Sequence, residues 1–350
     1  MARTYPLAAL AIVLAGAFIS AAAAQETLFQ SRRLTPTEYT FQIEGPGVDR
    51  AGTLFVVNFQ KQGTIGMVRA GAAKSELFAT LPPRDGNVIR QSAGSSIRFD
   101  RDGRMYVADF NNHKIFVFEP GQNVPKIYFE STKFNQPNDL TVAADGTIYA
   151  SDPHFKQPVG GQVWRITRGA DGTVRGEIMT TTTDRKLGRT NGIDLSPDET
   201  TLYVGESEKP ELWAYRLEGT RLAAPRPVKI FTDFNIDGLR TDIDGRIFVA
   251  RLSKGTVAML RPDGTIEREI CTLGKGPNNL AFGGPDGRTV FVTQSQDPTP
   301  LDPKKPGFVE TFRVERPGRE FCLQKADPSD ASCQPQPLPP LSVTPATHCP

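Results

Sequence analysis

Phe234-Asn-Ile-Asp-Gly-Leu-Arg-Thr-Asp-Ile-Asp-Gly-Arg-Ile-Phe-Val-Ala250 carries a polar residue, Asp237, followed by a small one and a short mixed run. It then turns at Asp244-Gly245 and ends in the apolar segment Ile247-Phe-Val-Ala250. Asp-Gly suits a tight turn because glycine accepts positive φ and aspartate tolerates it. A short β-rich run after such a turn has the pattern of a buried strand.

The phrase recurs. It stands as Glu44-Gly-Pro-Gly-Val-Asp-Arg-Ala-Gly-Thr-Leu-Phe-Val-Val57 and as Ser95-Ser-Ile-Arg-Phe-Asp-Arg-Asp-Gly-Arg-Met-Tyr-Val-Ala-Asp109. It returns as Asn138-Asp-Leu-Thr-Val-Ala-Ala-Asp-Gly-Thr-Ile-Tyr-Ala-Ser-Asp152 and Asn191-Gly-Ile-Asp-Leu-Ser-Pro-Asp-Glu-Thr-Thr-Leu-Tyr-Val204. Asp237 opens the fifth copy, and Asn279-Leu-Ala-Phe-Gly-Gly-Pro-Asp-Gly-Arg-Thr-Val-Phe-Val-Thr293 is the sixth. With Leu54, Met105, Ile148, Leu202, Ile247 and Val290 as equivalents, the period is 43 to 54 residues, near that of propeller blades. Blades cannot bury both faces alone, so they pack radially. Six repeats predict an all-β, six-bladed β-propeller with a central metal-binding channel.

The opening residues are Glu44, Ser95, Asn138, Asn191, Asp237 and Asn279, each with a side-chain oxygen. Equivalent positions in a propeller lie on a ring about the axis, so these oxygens should converge. Two carboxylates with several amide or hydroxyl oxygens suit Ca²⁺, which takes six to eight oxygens in flexible geometry, better than Mg²⁺. The same residue types are also favoured at turns for local reasons.

Residues 1–24 read as a secretory signal peptide: Arg3, an apolar core from Leu7 to Ile19, and Ala22-Ala-Ala24 before Gln25. No other stretch approaches a membrane span. The expectation is an exported mature protein, secreted or periplasmic, with a propeller over 25–323 and a Pro-rich, Cys-containing tail over 324–350. The 350 residues hold 41 Lys and Arg against 39 Asp and Glu. That balance gives no footprint for nucleic acid or a membrane surface. Tyr39-Thr-Phe-Gln-Ile43 alternates like a strand and is expected to close the ring against the last blade near Gly307 to Val314. Segments around Lys114–Phe118, Gly161–Ile166, Glu211–Leu217 and Gly255–Leu260 fit the next strand outward in successive repeats, and Trp164 and Trp213 fit core packing.

Metalloprotease, nucleophile-elbow and dinucleotide-binding motifs are absent from the sequence. Of the three histidines, His154 follows the third phrase's strand and is a candidate substrate contact at the channel mouth. Cys271, Cys322, Cys333 and Cys349 suggest two disulfides, in any of three pairings, that pin the tail against the last blade.

Asn138-Asp-Leu140, Asp145-Gly-Thr-Ile-Tyr149, Asp152-Pro153, Asn191-Gly-Ile-Asp-Leu-Ser-Pro-Asp198, Asp237-Gly-Leu239 and Phe282-Gly-Gly-Pro-Asp286 resemble the gluconolactonase and regucalcin (senescence marker protein) family across residues 40 to 315. The resemblance implies a divalent cation at the channel centre, usually Ca²⁺, with Mg²⁺, Mn²⁺ and Zn²⁺ as alternatives. It implies metal ligation by Glu44, Asn191 and Asp237, and a metal or substrate contact from Asn138. It also implies that Asp237 is the general base of a lactone hydrolase. In that chemistry the cation polarises the lactone carbonyl and Asp237 takes a proton from water, or the carboxylate attacks directly. Gln136, a candidate substrate contact, stands where sugar-lactone enzymes of the family often carry arginine, and no tryptophan follows Glu44-Gly-Pro46. Both departures count against a polyhydroxylated sugar lactone. The partner expected is a small-molecule lactone or ester. Organophosphate or aryl ester hydrolysis on the same metal is the alternative within enzymes. A binding propeller with a structural Ca²⁺ is the alternative outside them, favoured by a channel plugged by the tail.

Overall fold

The computed structural model describes Met1 and residues 26–84, 90–157, 159–295, 306–325, 327, 329–341 and 349. Apart from Met1, the expected leader lies outside the described residues.

Six antiparallel sheets form the chain in sequence order. Blade 1 has strands Gly47–Val48, Leu54–Val57, Thr64–Val68 and Glu76–Thr80; blade 2 has Gly94–Phe99, Met105–Asp109, Lys114–Phe118 and Lys126–Glu130. Blade 3 has Leu140–Val142, Ile148–Asp152, Gln162–Arg168 and Val174–Ile178. Blade 4 has Thr190–Leu195, Thr201–Glu206, Glu211–Glu218 and Arg221–Ile230, with Thr180–Thr181 added in parallel. Blade 5 has Leu239–Thr241, Ile247–Arg251, Thr256–Leu260 and Ile266–Cys271. Blade 6 has Gly276–Gly283, Thr289–Ser295 and Phe308–Arg313. The six-bladed propeller read from the repeats is the fold observed.

The second strand of each repeat is buried along nearly its whole length, as in Ile247–Arg251, whereas the outer strand Val174–Ile178 alternates with exposure. Inner strands are covered on both faces by adjacent blades, and outer strands only in part. The core is accordingly six separate clusters, each shared by two neighbouring blades. Tyr106 and Ile115 meet Leu140 and Ile148 between blades 2 and 3, and Phe248 and Val257 meet Leu280 and Val290 between blades 5 and 6. Trp164 is a core residue of the first of these. Trp213 is half-buried, with the Arg185 guanidinium stacked 3.7 Å from its ring. The hairpin turns use Gly103, Gly146 and Gly245 at φ +84, +84 and +92. In the fourth copy Glu199 takes that place at φ +56.

Ring closure differs from the expectation. Arg32–Arg33, not residues 39–43, pairs with Phe308–Arg313 as the fourth strand of blade 6. Tyr39 makes only single bridges to Phe59 and Gly307. Beyond it the chain turns, Ile43 N–H donating to Thr40 O at 3.1 Å, and that turn brings Glu44 to the axis.

The disulfides join Cys271 to Cys349 and Cys322 to Cys333. Cys271 ends the outer strand of blade 5, so the tail's end is fastened there and not to the last blade. Before the tail, the helix Arg319–Leu323 seats against the turn end of the inner strands. Arg319 Nη2 donates to Thr141 Oγ1 (2.8 Å) and Val142 O (3.0 Å), and Gln324 Nε2 donates to Val48 O (3.0 Å). Among the described residues no helix is long and apolar enough to cross a membrane.

Candidate functional site

Each inner strand starts at one end of the channel and runs toward the helix at the other. The phrase openings therefore gather at the end opposite the plug. Neighbouring openings are tied around the axis: Gly45 N–H donates to Ser95 O (3.1 Å), Gly192 N–H to Asp237 O (3.2 Å) and Gly238 N–H to Asn278 O (2.8 Å). Ser95 Oγ donates to Asn138 O (2.8 Å), and Asn278 Nδ2 to Ile43 O (2.6 Å). A Cβ on Gly192 would collide with the Asp237 carbonyl, so the Asn-Gly pair is set by this close approach.

Glu44, Ser95, Asn138, Asn191 and Asp237 line one cavity of about 350 Å³. A larger groove of about 830 Å³ between blades 1 and 6, beside the helix Arg319–Leu323, holds none of them, so size alone does not mark the site. The sixth opening is Asn278, which lines the cavity, and not Asn279. A register shift between Pro277 and Asn279 turns Asn279 inward, where its Oδ1 accepts from Arg240 Nη2 (3.1 Å) and Leu280 N–H (2.8 Å) and its side-chain amide interacts with the Glu44 carboxyl. The spacing of Asn138-Asp-Leu, Asn191-Gly-Ile and Asp237-Gly-Leu, with the apolar residue third, points to Asn278-Asn-Leu280. Gln136 and His154 are not among the cavity's lining residues. Gln136 Oε1 accepts from Phe155 N–H at 3.4 Å, and it is Phe155 that reaches the wall.

Below the openings the channel is filled by ion pairs. Asp139 Oδ1 accepts from Arg98 Nη2 (2.9 Å), Arg240 Nη2 (2.8 Å) and Ser96 Oγ (2.7 Å). Arg98 also faces Glu320 (3.7 Å), and Arg319 pairs with Asp194 (3.2 Å). Arg319 also pairs with Glu199 (3.1 Å), so each carboxylate here faces a guanidinium and this layer is charge-compensated. The cavity floor is not. Burial first, and then the Asp139 charge, push the Asp237 carboxyl up to about 7, with the Asn191 amide opposing. Glu44 keeps some surface open to the cavity. Burial, followed by the charges of Asp237 and Asp139, still holds its carboxyl well above the usual range. Among the described residues no Lys, Arg or His forms an ion pair with either one.

Asn191 Oδ1 is buried and has no hydrogen-bond partner. Buried polar atoms are nearly always satisfied, so this carbonyl, beside two uncompensated carboxylates, is an acceptor set lacking its donor. The set fits a divalent cation in charge and in its hard-oxygen chemistry. Among the described residues no three His, Cys, Asp or Glu side chains group into a centre of those types, and here two of the four candidate ligands are amides.

The sequence pattern of the SMP-30/gluconolactonase/LRE-like region matches residues 43–296. The chain belongs to this family. It is 27% identical over 234 residues to a gluconolactonase of Zymomonas mobilis, covering 60% of this chain and 63% of that one. It is 28% identical over 144 residues to a 6-deoxy-6-sulfogluconolactonase of Pseudomonas putida, covering 39% and 46%. The matches thus span less than two thirds of either relative. The fold is similar to that of a calcium-binding regucalcin of Agrobacterium tumefaciens, with TM-score 0.65 and 21% identity over 82% of this chain and 94% of that one. Family membership accounts for the repeat phase. The cavity wall in this chain, with Phe41, Phe110, Phe155 and Arg189, was not singled out by any repeat. Only Arg189, two residues before Asn191, carries a positional signal.

Proposed function

We propose that this protein is an exported lactone hydrolase dependent on a divalent cation, for which Ca²⁺ suits the donor set best. The observation that carries this reading is the uncompensated pair Glu44 and Asp237, with the orphan Asn191 Oδ1, on the floor of an open cavity. Family membership and the lactonase names of the relatives support the reaction class. The calcium-binding regucalcin supports the choice of cation.

Glu44, Asn138, Asn191 and Asp237 would hold the cation, which when bound supplies Lewis-acid polarisation of the carbonyl. Asp237 accepts a proton from the attacking water. Its proton affinity, which a bound cation would lower, is held up by burial and the Asp139 charge, and the Asn191 amide that hydrogen-bonds to it fixes its orientation. Asn138 Oδ1 or Nδ2 orients the substrate beside it. Asp139, held by Arg98 and Arg240, keeps negative charge beneath the floor, so a proton taken by Asp237 is stabilised. Gln136 steadies the Phe155 segment. The plug occupies the far end of the channel and leaves the cavity end open, which favours turnover over a closed binding module. The two disulfides support export.

The test is hydrolysis of a lactone panel by the purified protein, with and without EDTA, and with Ca²⁺, Mg²⁺, Mn²⁺ or Zn²⁺ restored. Cation-dependent turnover that is lost in Asp237→Ala supports the reading. Tight Ca²⁺ binding without turnover of any lactone sinks it and leaves the binding propeller.

A further inference from the structure

We infer that the cavity selects lactones bearing an aryl or alkyl body over polyhydroxylated sugar lactones. This rests on the lactonase reading of the same floor. Above the floor the wall is built from Phe41, Phe110, Phe155, Ile236 and Leu252. Phe110 and Phe155 come from adjacent blades and pack with ring centroids 5.5 Å apart. Both rings stay half-buried, which leaves part of their surface for a ligand.

Several polar groups of the same wall are committed to the protein. Asn58 Nδ2 donates to Gln42 O (2.8 Å) and Gly94 O (2.9 Å), while its Oδ1 accepts from Gly63 N–H (3.2 Å). Asn278 Nδ2 is held by Ile43 O, and its Oδ1 accepts from Ser295 Oγ (3.3 Å). The Arg189 guanidinium donates to Phe155 O (3.2 Å) and pairs with Glu208 (2.8 Å). Gln42 Oε1 and Arg189 Nε are buried without partners, and the lining Ser207 and Asn235 side chains carry no hydrogen bond among the described residues, so the wall offers a few scattered polar groups beside its apolar surface. A sugar lactone brings several hydroxyls, and each one desolvated without a partner weakens binding on the order of tenfold. An apolar body has no such groups and gains from covering the rings.

Non-hydrolysable lactams separate this preference from turnover. Binding of 3,4-dihydro-2-quinolinone and of glucono-δ-lactam is measured by calorimetry on the Ca²⁺-loaded protein, alongside hydrolysis of dihydrocoumarin, glucono-δ-lactone and unsubstituted δ-valerolactone. The expected result is at least about tenfold tighter binding of the quinolinone. Phe110→Ala and Phe155→Ala, each checked for an unchanged β-sheet spectrum, should weaken quinolinone binding by about three- to tenfold and raise KM for dihydrocoumarin to match. Both should raise KM for δ-valerolactone less than they raise it for dihydrocoumarin. Tighter binding of the glucono-lactam, failure of both lactams to bind, or indifference to both phenylalanine changes overturns the inference. Quinolinone binding with no lactone turned over supports the wall's preference while removing the lactonase reading beneath it.

Discussion

Asp237→Asn should stabilise the cation-free protein at neutral pH and destabilise the Ca²⁺-loaded one. In the folded chain the Asp237 carboxyl is raised from its ordinary 3.8 to about 7. Below about pH 4 both the folded and unfolded chains hold this proton, and the group contributes nothing. Between about 4 and about 7 the folded chain keeps the proton while the unfolded chain loses it, so stability falls as pH rises. Above about 7 both are ionised and the loss is complete. At ~1.36 kcal/mol per tenfold change in proton affinity, the ceiling is about 4 kcal/mol. Part of that is shared with Glu44, so about 1–4 kcal/mol is expected. Glu310 is also raised, to about 7, and Asp152 and Asp242 to about 6, so the wild-type slope alone is not diagnostic. The difference between wild type and Asp237→Asn isolates the site. The assay is urea unfolding in EGTA at pH 5, 6, 7 and 8, followed by fluorescence and circular dichroism. With Ca²⁺ at about a thousand times its Kd the wild type gains about 4 kcal/mol, and the ranking at pH 8 should invert. Parallel pH curves for the two apo proteins, or no inversion on adding Ca²⁺, would refute the account of the floor.

Asn278→Ala and Asn279→Ala should each lower stability by about 1–3 kcal/mol, because Ile43 O loses a buried donor and Arg240 a buried acceptor, and Asn279→Ala should also weaken Ca²⁺ binding a few-fold because its side-chain amide interacts with the Glu44 carboxyl; urea melts and calorimetric titration read the two. Asp139→Asn leaves Arg98 and Arg240 without their shared charge and should cost about 3–5 kcal/mol, measured by urea unfolding; a loss under 1 kcal/mol contradicts the charge-compensated layer. A single turnover in ¹⁸O-water separates the two proton-transfer schemes. Label incorporated into the Asp237 carboxylate, read by peptide mass, supports direct attack, whereas unlabelled Asp237 together with no acyl-enzyme trapped by hydroxylamine supports Asp237 as base. Paired Cys322→Ser and Cys333→Ser changes should cost about 2–3 kcal/mol by freeing an 11-residue loop, with kcat unchanged, because the plug lies at the end of the channel away from the floor.

The chain's periodicity was enough to determine the blade count and the convergence of Glu44, Asn138, Asn191 and Asp237, because both follow from repetition. Equivalent positions in equivalent blades must lie on one ring, and the Asp-Gly turns set the phase. Residues outside the repeat were not legible in this way. Closure fell to Arg32–Arg33 because residues 40–43 had to turn toward the axis, a demand that alternation in Tyr39–Ile43 does not reveal. The sixth opening slipped by one residue because a bulge at Pro277 shifts the register, and local composition reads Asn278 and Asn279 alike. The Arg98–Asp139–Arg240 layer, the Arg319–Glu320 plug and the phenylalanine wall join residues from different blades and from the chain's end. Arg98, Asp194 and Arg240 are the fourth residues of their phrases and Asp139 the second of its own, so the repeat puts that layer near the axis, but no periodicity links the plug or the wall to it. Only the packing of six separate sheets around one axis decides which side chains meet there, and whether their charges balance.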